Sequence, residues 1–292
     1  MKSSEYSLQQ YLDRDLVMDW QPGEIPSFPI PNVTPAIQAN SYYFGHPEWA
    51  KAYFECCHRD DAFKGCWREA MGSWDDKIVV DIGCGPGNLY SSLGGSPGLL
   101  IGVDVSRGAL EMAQKIGYTP VLADAQHLPF VSGFADIVTL NAALHHCDDM
   151  VQTLTEAARL VCPGGLLITD HDPQISAGEL KGVGQMFAKI QDKLDRMTRR
   201  RQVTQEELKW MWATEAHHKK GDGVTADFFY NTLEPLGFEV KVYPHNHTVG
   251  GEVLQGNYGR SYWHFYLAQI LSGMNPHLPE SALSLMCVAI KK

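Results

Sequence analysis

The residue types and spacing that point most directly to chemistry lie in one segment, Asp81-Ile82-Gly83-Cys84-Gly85-Pro86-Gly87-Asn88. Its glycines allow sharp turns and a close approach of the backbone to a ligand, but this signal is weakly specific by itself. Pro86 offers no backbone N–H to a phosphate, and Asn88 stands where the dinucleotide pattern G-x-G-x-x-G has its third glycine. No Gly-Lys-Ser/Thr follows, which excludes a P-loop. The segment therefore favours a ligand bound by other means than a phosphate cradle.

Three histidines are candidates for acid–base chemistry. His145 and His146 are adjacent, and His171 follows a later apolar run. An imidazole titrates near neutral pH and can take a proton from a hydroxyl or an amine. A histidine pair can equally support a loop, so both interpretations stay open at this stage.

Short apolar runs alternate with helix-length segments between residues 77 and 170, which predicts a parallel sheet of the α/β class. Ligands gather at the carboxyl ends of such strands, where these polar residues lie. The predicted strands cover residues 78–82, 99–105, 120–123, 135–140 and 166–169, with helices over 107–116 and 150–161.

The segments before residue 77 and after residue 170 lack this regular alternation. Five prolines before residue 38 predict an extended arm, and Pro47 is suited to the first position of a helix. Residues 174–223 are predicted to be helical, with a capping box at Thr204 and Glu207. A helix over 225–236 and strands over 238–243 and 283–290 follow. The stretch 244–280 between those strands is longer than an ordinary connection and is therefore a candidate functional insertion.

The central third of the chain resembles the class I S-adenosylmethionine-dependent methyltransferases. The glycine segment resembles their first motif, and 101–106 and 123–130 resemble the second and third. Residues 134–146 resemble the fourth strand and its exit, and 158–165 the turn before the fifth strand. The resemblance implies a Rossmann-like, doubly wound, seven-stranded sheet with an antiparallel last strand, and S-adenosylmethionine as cofactor.

The resemblance also implies roles for particular residues. Asp104 would hold the ribose hydroxyls, while Asp124 would meet the adenine amino group and Ala125 the ring. Asp81 would order the loop and the amino end of the cofactor; the alternatives are that these acids cap turns or brace the loop. The full set of predicted cofactor residues is Asp81, Gly83, Cys84, Gly85, Asp104, Val105, Asp124, Ala125 and Asn141.

The implied activity is methyl transfer to an oxygen, nitrogen or carbon atom of a small molecule. The predicted catalytic candidates are His146, His145 and His171, and the predicted substrate contacts are Tyr43, Tyr262 and Trp263. Four segments are expected: an N-terminal lid (1–76), a cofactor-binding core (77–172), a helical insertion (173–224) and the end of the core (225–292). The last carries a lid insertion at 244–280. The alternatives are a non-catalytic S-adenosylmethionine-binding protein, an RNA methyltransferase and a nicotinamide-dependent oxidoreductase.

Composition narrows the class of partners. The formal charge of −10 disfavours a nucleic-acid footprint, and the basic residues 181–201 are interrupted by acids. The seven cysteines contain no CxxC pair and are expected to be reduced. The cluster Cys56-Cys57-His58 lacks a second ligand pair, so no metal is predicted. No apolar run is long enough for a membrane span and no signal peptide is evident, so we expect a cytoplasmic protein.

Overall fold

The computed structural model describes residues 7–16, 21, 23–198, 203–215 and 221–292. Within them one sheet has the strand order β3-β2-β1-β4-β5-β7-β6, in which β7 is antiparallel to both of its neighbours and the other pairs are parallel. The strands are β1 Ile78–Ile82, β2 Leu99–Asp104, β3 Thr119–Leu122, β4 Ala135–Asn141, β5 Val161–Pro173, β6 Phe238–His245 and β7 Ser284–Lys291. The predicted sheet and its antiparallel last strand are confirmed.

Ten α-helices lie in the described residues. They are α1 Pro35–Gly45, α2 Pro47–Cys57, α3 Asp61–Met71, α4 Asn88–Leu93, α5 Arg107–Lys115, α6 Met150–Leu160, α7 Gly182–Thr198, α8 Gln205–Thr214, α9 Ala226–Leu233 and α10 Trp263–Leu271. Short 3₁₀ turns include Leu144–His146, Glu234–Leu236 and Gly251–Gln255. The Thr204 hydroxyl accepts from the Glu207 amide at 3.0 Å, as the predicted capping box requires.

The central strands are nearly continuous apolar runs because helices cover both faces of a parallel sheet. All five residues of β1 are buried, and so are the first five of β2. The β5 strand is longer than the predicted 166–169 and pairs with β4 through a register shift, starting from Ala135 opposite Val161. Because β1 pairs in parallel with both β2 and β4, the carboxyl ends of these three strands lie at the same edge of the sheet.

The N-terminal arm lies on the sheet as predicted, but it ends earlier than expected. Phe28 donates its amide to the carbonyl of Leu122 at 2.8 Å, which extends the β3 edge. Helix α1 then begins at Pro35, inside the segment that was predicted to be extended. Proline is tolerated at a first helical position, where its missing N–H has no intrahelical partner, and the Thr34 hydroxyl accepts from the Ile37 amide.

The segment 244–280 is structured rather than a plain loop. Strand β6 runs on to His245, the 3₁₀ turn Gly251–Gln255 packs on α3, and α10 packs on α7. The basic residues Arg199–Arg201 and the side chains of Cys56 and Cys57 lie outside the described residues. Among those described, no helix has the length and apolar character that a membrane crossing requires.

Candidate active site

A cavity opens where the carboxyl ends of the central strands meet helices α1 and α2. Its sheet side is formed by residues at the strand ends, and its helical side by residues of the covering helices. The sheet side includes Asp81, Gly83, Cys84, Gly85, Asp104, Val105, Asp124, Ala125 and Asn141; the helical side includes Ile37, Asn40, Phe44, Tyr53, His58 and His146. Every residue predicted to bind the cofactor thus lines this cavity, while their individual roles stay predictions.

The glycine segment forms a tight turn in which Gly83, Gly85 and Gly87 all adopt left-handed backbone, a conformation that favours glycine. Gly83 and Gly85 have φ angles of 68° and 53°, in the left-handed region. A Cβ atom on Gly83 would lie 2.8 Å from the Cβ of Ala143, so the loop also approaches the chain after β4 closely. Cys84 is buried, and burial raises the pKa of its thiol well above the usual value. The thiol is therefore a small space-filling group rather than a nucleophile.

Asp104 ends β2 and braces the glycine turn. Its Oδ2 accepts from the Gly85 amide at 2.8 Å and its Oδ1 from the Ser106 amide at 2.8 Å. Burial raises the pKa of this carboxyl to about 6, although both amide hydrogen bonds oppose the rise. A carboxylate has about four lone-pair sites, so acceptor capacity remains for hydroxyl donors in the cavity beside these backbone hydrogen bonds. This arrangement fits a ligand with a vicinal pair of hydroxyls.

Asp81 lies deeper and its oxygens are already engaged. The Tyr118 hydroxyl donates to Oδ2 at 2.7 Å, and the Thr139 hydroxyl donates to Oδ1 at 2.9 Å. Burial raises the pKa of Asp81 to about 6, against the effect of these hydrogen bonds. The contacts tie the carboxyl at the end of β1 to β4 and to Tyr118, and its role toward the cofactor stays a prediction.

Asp124 and Asn141 close the sheet side. Asp124 Oδ1 accepts from the Gln126 amide at 3.0 Å, so this acid caps its own turn and also lines the cavity. The Asn141 amide nitrogen lies 2.9 Å from Nε2 of His58, to which it donates. The Asn141 amide oxygen is buried and has no hydrogen-bond partner among the described residues. A buried acceptor of this kind is costly unless a bound ligand supplies a donor.

His58 is the site residue that sequence reasoning missed, because it was weighed only as part of a cysteine cluster. It caps the end of α2 and lines the cavity. Desolvation lowers the pKa of its ring to about 3, with a smaller contribution from His171. Its Nε2 accepts from Asn141, so the proton is on Nδ1. His58 is consequently a neutral N–H donor and cannot serve as a base.

Of the three predicted catalytic histidines, only His146 lines the cavity. Its Nδ1 lies 2.8 Å from the carbonyl oxygen of Thr214, a pure acceptor, so Nδ1 carries the proton and the lone pair is on Nε2. His145 is buried beside it, with Nδ1 2.7 Å from Asp172 Oδ1. The ring centroids of the two histidines are 3.9 Å apart.

His171 belongs to a buried cluster behind His58. Asp170 accepts from His171 Nδ1 at 3.0 Å and from His245 Nε2 at 2.7 Å, and the positive His charges hold its pKa well below the usual range. His171 has a φ of 63°, and its ring centroid is 6.1 Å from that of His58. The cluster supports the wall of the cavity from outside the lining.

The predicted substrate contacts are not among the lining residues. Tyr43 is buried against Phe44 and Trp49. Tyr262 and Trp263 are 56% and 65% exposed, near the start of α10. Phe44, which directly follows Tyr43 on α1, and Tyr53 on α2 are phenylalanine and tyrosine side chains that do line the cavity.

Comparison with known proteins agrees with this geometry. Residues 80–169 match the family of methyltransferase domains. A ubiquinone biosynthesis O-methyltransferase of Aromatoleum aromaticum is 32% identical over 146 residues, which are 46% of this chain and 61% of that protein. A demethylmenaquinone methyltransferase of Lactiplantibacillus plantarum is 32% identical over 120 residues, 37% of this chain and 51% of that protein. The chain thus spans about half to three fifths of the length of these curated relatives.

Solved structures share the fold over most of the chain. A plantazolicin methyltransferase, crystallised with a pentazolic desmethyl analog and SAH, has a TM-score of 0.52 at 14% identity. The match covers 88% of this chain and 96% of that one. At this identity the likeness concerns the fold alone.

Proposed function

We propose, on the premise that residues 80–169 are a class I S-adenosylmethionine-dependent methyltransferase domain, that the chain methylates a small molecule held on the helical side of the cavity. The observation that carries the proposal is the joint lining of one cavity by the glycine turn, the strand-end acids and an apolar, aromatic wall. A cavity with both features can hold a donor and an acceptor together.

The sheet side has the groups that S-adenosylmethionine needs. Asp104 retains acceptor sites for the ribose hydroxyls, and the glycine turn exposes backbone at the cavity wall. Bound there, the cofactor supplies an activated methyl group on a sulfonium. The protein then has to orient the acceptor atom and exclude water.

The helical side favours an acceptor with an aromatic or apolar body. Ile37, Phe44 and Tyr53 supply the apolar surface, while His58 offers an N–H and His146 a lone pair. Relatives whose names specify ubiquinone, demethylmenaquinone and malonyl-carrier-protein methylation agree with a small or carrier-bound acceptor. We propose a hydroxyl as the accepting group, since both polar side chains suit it.

The cavity is covered by helices, of which α1 is tied by hydrogen bonds to the segments that follow β2 and β4. The Thr34 hydroxyl, at the start of α1, donates to Asp148 at 2.7 Å, and Ser106 donates to the Ser41 carbonyl at 2.7 Å. Helix α8 packs on α1. We propose that α1, α2 and α8 act as the lid, with segment 244–280 supporting it from behind His171.

The test is methyl transfer by the purified chain. Labelled S-adenosylmethionine is incubated with the chain and a panel of phenols, quinols and malonyl thioesters, and labelled product is counted against a sample without acceptor. Transfer to a hydroxylated aromatic is expected. Tight binding of SAH in calorimetry with no transfer to any acceptor would favour a non-catalytic binding protein, and transfer to RNA alone would overturn the small-molecule assignment.

A further inference from the structure

A compact group of metal-ligand side chains lies beside the helical side of the cavity. One ligand atom each of His145, His146 and Glu215 lies within 4.8 Å of the other two. Nε2 of His145 is 3.7 Å from Oε2 of Glu215. Since the histidines follow β4 and Glu215 caps the end of α8, the fold brings the three together from distant parts of the chain.

Hydrogen bonds fix both imidazoles in the tautomer that a metal needs. His145 Nδ1 contacts Asp172 Oδ1 at 2.7 Å, and His146 Nδ1 donates to the Thr214 carbonyl at 2.8 Å. Each ring therefore keeps its lone pair on Nε2. Metal-bound histidines in proteins nearly always donate their second nitrogen to a carboxylate or a carbonyl in this way. The same pair of partners is present here.

The group lies in the protein interior. The side chain of His145 is 7% exposed, that of Glu215 is 19% exposed, and Asp172, which contacts His145, is fully buried. Buried ionisable groups in proteins are paired with one another or coordinate metal ions.

We propose that His145 Nε2, His146 Nε2 and the Glu215 carboxylate bind one divalent cation, with zinc as the best match to two imidazoles and one carboxylate. Zinc bonds of about 2.0–2.1 Å place tetrahedral ligand atoms roughly 3.3 Å apart, so a modest closure of the present group is needed. Three protein ligands leave a coordination position open. Because His146 also lines the cavity, a cation bound here would take the lone pair that the proposed function gives to the acceptor hydroxyl, and would itself polarise that hydroxyl instead.

The first test is zinc binding by the full chain after treatment with a chelator, followed by calorimetry at pH 7.5. One equivalent of Zn²⁺ is expected to bind, with release of protons from the ligands. Glu215→Gln and His146→Gln each keep the size of the side chain, and each is expected to weaken binding by about 100-fold or more. Glu206→Gln, an exposed change on the same helix, should bind as the unaltered chain does.

Two further measurements test whether zinc binds at this site rather than elsewhere on the chain. His217 and His218 follow Glu215 in the sequence and lie outside the described residues, so the double variant His217→Gln/His218→Gln is titrated in parallel. It is expected to retain zinc. Loss of zinc in that double variant, unchanged affinity in Glu215→Gln, or no stoichiometric binding at all would overturn the site.

Co²⁺ serves as the spectroscopic probe of the ligand set. Its visible absorption should indicate tetrahedral or five-coordinate nitrogen and oxygen ligation in the unaltered chain and should be lost in His146→Gln. A spectrum that is identical in the two proteins would contradict the assignment. Both metal titrations are made without S-adenosylmethionine. The cation site can therefore be contradicted while methyl transfer is observed, and methyl transfer can be absent while the cation binds.

Discussion

The two sides of the cavity differ in how they are built. On the sheet side, each functional group lies within a few residues of a strand end, and hydrogen bonds within the turn hold it: Asp104 binds the amides of Gly85 and Ser106. On the helical side, the groups come from α1, α2 and the 3₁₀ turn Leu144–His146, and the Thr214 carbonyl of α8 holds His146 in place. One side is set by local sequence and the other by packing between distant segments.

This difference implies different responses to substitution. Changes at Asp104 and in the glycine turn should act mainly on cofactor affinity, because hydrogen bonds between the strand ends hold these groups. Changes on the helical side should act on turnover, on pH dependence or on cation binding. The following predictions test that division, from the largest expected effect to the smallest.

Asp104→Asn is expected to have the largest effect. It removes the charge that strengthens two prospective ribose hydrogen bonds, and each such bond contributes about 1.5 kcal/mol or more. The dissociation constant for SAH should therefore rise by about 100-fold in calorimetry. Glu111→Gln, an exposed loss of one carboxylate on α5, should leave it unchanged. A folded Asp104→Asn protein whose dissociation constant for SAH stays within threefold of the original value would contradict the proposed difference between the two sides of the cavity.

Gly83→Ala tests the close approach of the loop to the chain after β4. The alanine must adopt a φ of 68° and its Cβ meets that of Ala143 at 2.8 Å. Left-handed backbone costs about 1–2 kcal/mol for a residue with a Cβ, and the contact adds to it. SAH affinity should fall by about 10- to 30-fold. Adding Ala143→Gly should recover only the part of the lost SAH affinity that comes from the contact between the two Cβ atoms. Full recovery would show that the left-handed backbone conformation is not limiting.

On the helical side, the free energy of unfolding should depend on pH in the acid range because of His58. Folded His58 stays neutral down to about pH 3, whereas the unfolded chain takes up the proton near pH 6.5. The unfolded state binds more protons in this window, so the free energy of unfolding should fall by up to about 1.4 kcal/mol per unit as pH falls below 6.5. Denaturant titrations from pH 7 to 4 measure this slope. His58→Gln should make it shallower, while His277→Gln, an exposed change, should not; equal slopes in all three proteins would contradict a buried neutral His58.

The same contrast explains what the sequence could predict. The positions of the strands along the chain and the glycine turn follow from patterns within short segments, and the family resemblance carried by those segments implied the cavity position of Asp104 and Asp124. His58 and Glu215 could not be found in that way, because their meaning depends on contacts with Asn141 and His145 far along the chain. The start of α1 at Pro35 was missed for a related reason: a run of prolines favours extended backbone until one of them falls at a first helical position.

The smallest effect is expected at Trp263. Its side chain is 65% exposed at the start of α10 and touches Phe187 and His264 rather than the cavity. Trp263→Ala should change SAH affinity and methyl transfer by less than about twofold, since exposed substitutions away from a site usually alter stability by under 0.5 kcal/mol. Phe44→Ala, which removes an aromatic ring from the lining, is the matched comparison and should raise the KM of the acceptor. If Trp263→Ala instead lowered kcat tenfold with SAH affinity intact, segment 244–280 would have to close over the acceptor during turnover, and the helical side would extend beyond α1, α2 and α8.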